Sequence, residues 1–80
     1  MRITNVKEIN KGGIIASFNV CYAGLTILGF KLVKNKRGGY FISPPCQNIN
    51  GRWLSDIRIS DEVKGILKEQ ILEILTNPQE

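Results

Sequence analysis

The 80 residues hold 11 Lys and Arg against 7 Asp and Glu, a net charge of +4, and no histidine. A chain this short makes one domain and buries only about 60–65% of its unfolded surface, so self-association is a useful supplement to its stability. Its 42% hydrophobic and 22% charged residues exclude wholesale disorder, and the missing histidine excludes imidazole-activated serine or cysteine nucleophiles.

The chain opens with Met1 to Lys7, which has no apolar signal core, and no later apolar run approaches the ~20 residues of a membrane helix. A cytoplasmic protein with no membrane partner is expected. Arg2 to Ile9 carries Ile3, Val6 and Ile9 at irregular spacing, which predicts a strand with a bulge or bend. Lys11-Gly12-Gly13 is a turn. Ile14, Ala16, Phe18, Val20 and Tyr22 then share one face of a period-two strand, opposite Ile15, Ser17, Asn19 and Cys21. Ala23-Gly24 suits a hairpin into a strand over 25–34, with Leu28, Phe30 and Leu32 on one face and Ile27, Gly29, Lys31 and Val33 on the other. Ile15, Cys21, Ile27 and Val33 are thus expected on the sheet face away from the helix.

Asn35-Lys36-Arg37-Gly38-Gly39 is a longer turn before a short strand, Tyr40 to Ser43. Four strands joined by tight turns pair as an antiparallel meander. Pro44-Pro45 ends that pairing, because proline has no amide donor. Cys46 to Gly51 reads as a polar loop and Arg52 to Ile57 as a short fifth strand. Ser60 is an N-cap followed by the acids Asp61 and Glu62, and the helix runs to about Leu75, before Asn77-Pro78. Val63, Ile66, Leu67, Ile71 and Ile74 form its apolar stripe, with Leu72 and Leu75 off it, and Gly65 suggests a close packing point. The expected fold is therefore α+β: one domain over residues 1–80, strands within about 2–57 and a helix over about 61–75.

Charge divides unevenly along this chain. Up to Leu54, Arg2, Lys7, Lys11, Lys31, Lys34, Lys36, Arg37 and Arg52 face a single acid, Glu8. From Ser55 on, Arg58, Lys64 and Lys68 face Asp56, Asp61, Glu62, Glu69, Glu73 and Glu80. A basic body favours polyanion contact. Lys34, Lys36 and Arg37 crowd one hairpin turn, with Lys31 before it and Arg52 after the prolines, and such clusters neutralise phosphates with salt-sensitive affinity. Tyr40, Phe41 and Trp53 flank the cations. An exposed aromatic there stacks on unpaired bases, although Phe41 and Trp53 read more readily as core. Cys21 and Cys46 are too few and too far apart for a zinc site or a disulfide framework. No cofactor, metal or small-molecule substrate is expected, and no enzyme activity.

Several segments are similar, in order and spacing, to those of a known family. Ile3-Thr4-Asn5-Val6-Lys7 resembles an opening Val-Thr-x-Val-Arg, Ile15-Ala16-Ser17-Phe18 an Ile-Ala-Ser-Ile, and Phe30-Lys31-Leu32-Val33 an Ile-Arg-Val-Ile. Gly39-Tyr40-Phe41-Ile42 with Pro45 resembles Gly-Leu-Phe-Val-x-x-Pro, and Asp56-Ile57 an Asp-Ile before the helix. These belong to the stage V sporulation protein G (septation protein) family. The resemblance covers Met1 to about Leu75 and implies a dimer assembled through β-strands that binds DNA and RNA to regulate genes, septation and sporulation. Cys46, Gln47 and Asn48 replace the family's basic residues after the proline, so Gln47 and Asn48 would approach bases as amides. The expected nucleic-acid contacts are Lys31, Lys34, Lys36, Arg37, Gln47, Asn48 and Arg52. The alternative is a protein-interaction module of the same fold without nucleic-acid binding, suggested by the amides, the acidic second half and Leu72 and Leu75.

Overall fold

The computed structural model describes residues 1–55 and 57–77; Asp56, Pro78 and Glu80, named above, lie outside the described residues. Strands β1 (Arg2–Lys11), β2 (Ile14–Tyr22), β3 (Leu25–Lys34) and β4 (Tyr40–Ser43) form one antiparallel sheet in the order β1-β2-β3-β4. A separate two-stranded antiparallel ribbon pairs β5 (Cys46–Ile49) with β6 (Arg52–Ser55), and helix α1 (Asp61–Thr76) follows. The architecture is α+β, as the turn spacing predicts.

The expected loop over Cys46 to Gly51 is instead β5 and its turn, and β6 ends at Ser55, short of Ile57. Pro44-Pro45 stops the pairing with β3 without stopping extension of the chain. Asn50 and Gly51 then take φ of 53° and 80°, the doubly positive geometry of a two-residue hairpin turn, which Asn-Gly favours strongly.

The core lies between the four-stranded sheet and α1. Ala16, Phe18 and Val20 from β2, Phe30 and Leu32 from β3, Ile42 from β4, and Leu67 and Ile71 from α1 are buried. Phe18 and Phe30 are cross-strand partners with ring centroids 5.8 Å apart. Simple alternation fails at bulges, where an extra residue reverses which face the next side chain takes. On β3 the register passes from Phe30 opposite Phe18 to Ile27 opposite Val20, two steps against three. Ile27 therefore packs on the core and Leu28 is exposed, the reverse of the expected faces. Gly29 absorbs the irregularity with a φ of 90°, open to glycine at no steric cost. A second bulge, on β2 between Ile14 and Ala16, turns Ile15 onto the core and pairs Ile14 with Val33. On β1, two register shifts coincide with Asn5 and Asn10 at positive φ, which is the irregularity its apolar spacing predicts.

Ser60 caps α1, its Oγ accepting from the Val63 amide at 3.2 Å. The helix's packed side is rotated from the expected stripe. Val63, Leu67, Ile71, Leu72 and Leu75 meet the core, whereas Ile66 and Ile74 are exposed. A helix lying over a bulged, twisted sheet selects its inward side by the shape below it as well as by hydrophobicity. Among the described residues nothing approaches the position a Gly65 side chain would take, so the expected close packing is not found there.

Candidate nucleic-acid interface

The sheet face away from α1 is assembled row by row through the strand register. One row reads Lys7, Ser17, Lys31, Ser43 across all four strands. Beside it runs Lys11, Ile14, Val33, Phe41, and toward the other end lie Thr4 with Asn19 and then Arg2, Cys21, Thr26. Every charged residue in these rows is basic. Lys7, Lys11 and Lys31 are exposed, and among the described residues no ion pair engages them. The acids Asp61, Glu62, Glu69 and Glu73 lie exposed on α1, which covers the opposite face. The fold thus sets a basic sheet face opposite a helix whose four acids outnumber its two lysines, Lys64 and Lys68.

At the Lys11 end, two hairpin turns meet. The Lys34 amide donates to the Gly13 carbonyl at 2.8 Å, joining the β1–β2 turn to β3. A groove of about 340 Å³ there is lined by Lys11, Lys34 and Lys36 together with Asn10, Asn35 and the turn glycines. Asn35 organises the β3–β4 turn. Its Oδ1 accepts from the Arg37 and Gly39 backbone amides, both at 2.9 Å, and its backbone N–H donates to the Gly39 carbonyl at 2.8 Å. This internal bonding satisfies the turn's backbone and holds Lys36 and Arg37 outward as exposed cations.

Lys34, Lys36 and Arg37 are therefore brought together at one rim with Lys11, and Lys31 stands on the adjoining face. Gln47, Asn48 and Arg52 are not at that rim. Pro45 continues the β4 register opposite Gly29, where a Cβ would lie 3.7 Å from it. By that register the chain leaves the Lys34 rim and heads toward the Leu25 end of β3 before the ribbon begins at Cys46. Within it Gln47 pairs with Leu54, Asn48 with Trp53 and Ile49 with Arg52. Trp53 is 70% exposed and Phe41 46%, so neither belongs to the core that their chemistry suggests.

Lys7 and Lys11 were hidden from the sequence because each lies across or beyond a bulge from the cations it joins. The signal for the ribbon was present in Asn50-Gly51. Cys21 also sits on the open face, its Sγ 3.6 Å from Thr26 Oγ1 and 3.8 Å from Thr4 Oγ1. Those hydroxyls, Thr26 first, and the Arg2 charge hold its thiol below the ordinary cysteine value. Among the described residues no cluster of His, Cys, Asp and Glu is suited to a metal ion, and no helix is long and apolar enough to cross a membrane. Comparison with family models, curated proteins and solved structures finds no match.

Proposed function

We propose that the chain is a cytoplasmic, non-catalytic nucleic-acid-binding regulator of the stage V sporulation protein G type, acting as a homodimer. Lys31, Lys34, Lys36 and Arg37, joined by Lys7 and Lys11, would neutralise phosphates on the open sheet face and its rim. Gln47, Asn48 and Arg52 would meet the same strand from the ribbon. The observation that carries the reading is the Lys7–Ser17–Lys31–Ser43 row, a cationic surface with no carboxylate in it. Serine hydroxyls between lysines add phosphate donors without adding charge. For the dimer, β4 offers the more regular free edge, since β1 is interrupted by two bulges.

A fluorescence-anisotropy titration over a salt series tests binding. Log affinity should fall linearly with log salt, and K7E/K31E should weaken binding and flatten the slope by roughly 1.4–1.8, about 0.7–0.9 per lost contact. Affinity indifferent to salt, or no binding at low salt, refutes the proposal. Light scattering showing only monomer at micromolar concentration refutes the dimer. The second reading, a protein-interaction module, draws support from the exposed Ile49, Trp53 and Leu54 of the ribbon. K36E/R37E separates the two. Lost nucleic-acid affinity supports the first, and a protein partner retained by a variant that never bound nucleic acid supports the second.

A further inference from the structure

We propose that the β5–β6 ribbon is a base-stacking arm, with Trp53 as its platform, that makes the chain select single-stranded over duplex nucleic acid. The inference rests on the nucleic-acid reading above and specifies the kind of strand that site takes. A lone two-stranded ribbon is marginal in water, and among the described residues both faces of this one carry exposed apolar side chains. Trp53 is 70% exposed on one side, and Ile49 and Leu54 are 47% and 46% exposed on the other. An indole held in the open on a protruding ribbon contributes little to the fold.

The neighbours of Trp53 indicate its ligand. Asn48 is its direct cross-strand partner, and Asn48 Oδ1 accepts from the Gly51 amide at 3.0 Å. That bond uses the side chain's acceptor inside the turn and fixes the amide, so its two N–H donors remain for a ligand. An aromatic plane beside fixed donors matches an unpaired base, whose ring face stacks while its carbonyl or ring nitrogen accepts. In a duplex that ring face is already covered by the bases above and below. Arg52 is the one charged residue between Cys46 and Ser55; it pairs with Ile49 on the face opposite Trp53, so the stacking face itself carries no charge and no carboxylate repels a phosphate from the ribbon. The ribbon follows Ser43, the partner of Lys31, by two prolines, so it is tethered next to the strand that ends the cationic row.

Trp53 is the only tryptophan, so its emission reports the contact in the intact chain. Oligo(dT) should quench that emission and bind more tightly than a blunt hairpin duplex. W53A should lower the oligo(dT) affinity by roughly 5- to 150-fold, the span of a base–aromatic stack, and W53F should retain most of it. Duplex affinity should move far less, and the circular-dichroism melt should not change. Oligo(dT) bound without quenching overturns the arm and leaves the basic face standing. So does equal loss on both ligands. Preference for the duplex overturns single-strand selection and points to a ribbon seated in the major groove. If W53A abolishes self-association but not nucleic-acid affinity, the ribbon is an interface between copies. Failure to bind either ligand overturns both the arm and the reading beneath it.

Discussion

Cys21 shows how a single position acquires chemistry from the strands on either side of it. Thr4, Thr26 and Arg2 reach it only because three strands align in register. A thiolate accepting from two hydroxyls beside a guanidinium forms at lower pH than an isolated one. Alkylation of Cys21, followed by peptide mass mapping, should therefore titrate below the ordinary cysteine range, and T26V should move the midpoint back up. A profile centred at or above that range would refute this. The stability linkage has a definite sign. Since the folded value is depressed, the contribution is present above the unfolded value and fades as pH falls through the folded one. If a strand covers the open face, saturating oligonucleotide should also slow alkylation of Cys21. The sequence shows two isolated cysteines and cannot show this environment, because it arises across strands. Trp53 is a different case, since hydrophobicity alone argues for burial and only the ribbon's separation from the core exposes it.

At the scale of elements, local chemistry was legible and parity was not. Gly12-Gly13, Ala23-Gly24 and the proline pair mark strand ends, Ser60 marks the helix start, and the period-two run from Ala16 to Val20 marks the core face. Alternation on β3 could not reveal that Ile27 packs inward and Leu28 outward; Gly29, a glycine inside a strand, is the one local sign of the bulge that reverses the faces there. The same limitation hides the cationic row, since Lys7 reaches the face of Lys31 only through a shifted register. The helix offers a direct test of local against tertiary control. Gly65 carries no packing constraint, as a Cβ there meets nothing within 4 Å. G65A should therefore stabilise the protein by about 0.5–1 kcal/mol, the helix-propensity difference, read as an upward shift of the urea midpoint at constant m-value. Destabilisation would reveal a contact at that surface.

For the molecule as a whole, the dominant feature is the opposition of a basic sheet face and a helix of mixed charge in which acids outnumber lysines four to two. Charge counts along the chain anticipate its sign, while the fold supplies its direction by placing α1 on one side only. Connectivity has a kinetic consequence as well. Every strand hydrogen-bonds only to strands adjacent to it in sequence, so each hairpin closes a short loop before the next must form. Distant segments are brought together by the docking of α1 across the sheet, against β4 and, from the far end of the chain, against β1. Such a chain has little loop-closure entropy to overcome and should refold in milliseconds rather than seconds, in a single exponential phase. Stopped-flow mixing followed by far-ultraviolet circular dichroism would register that rate, and a dominant phase lasting seconds would mean that the joining of the two ends, rather than the succession of hairpins, limits folding.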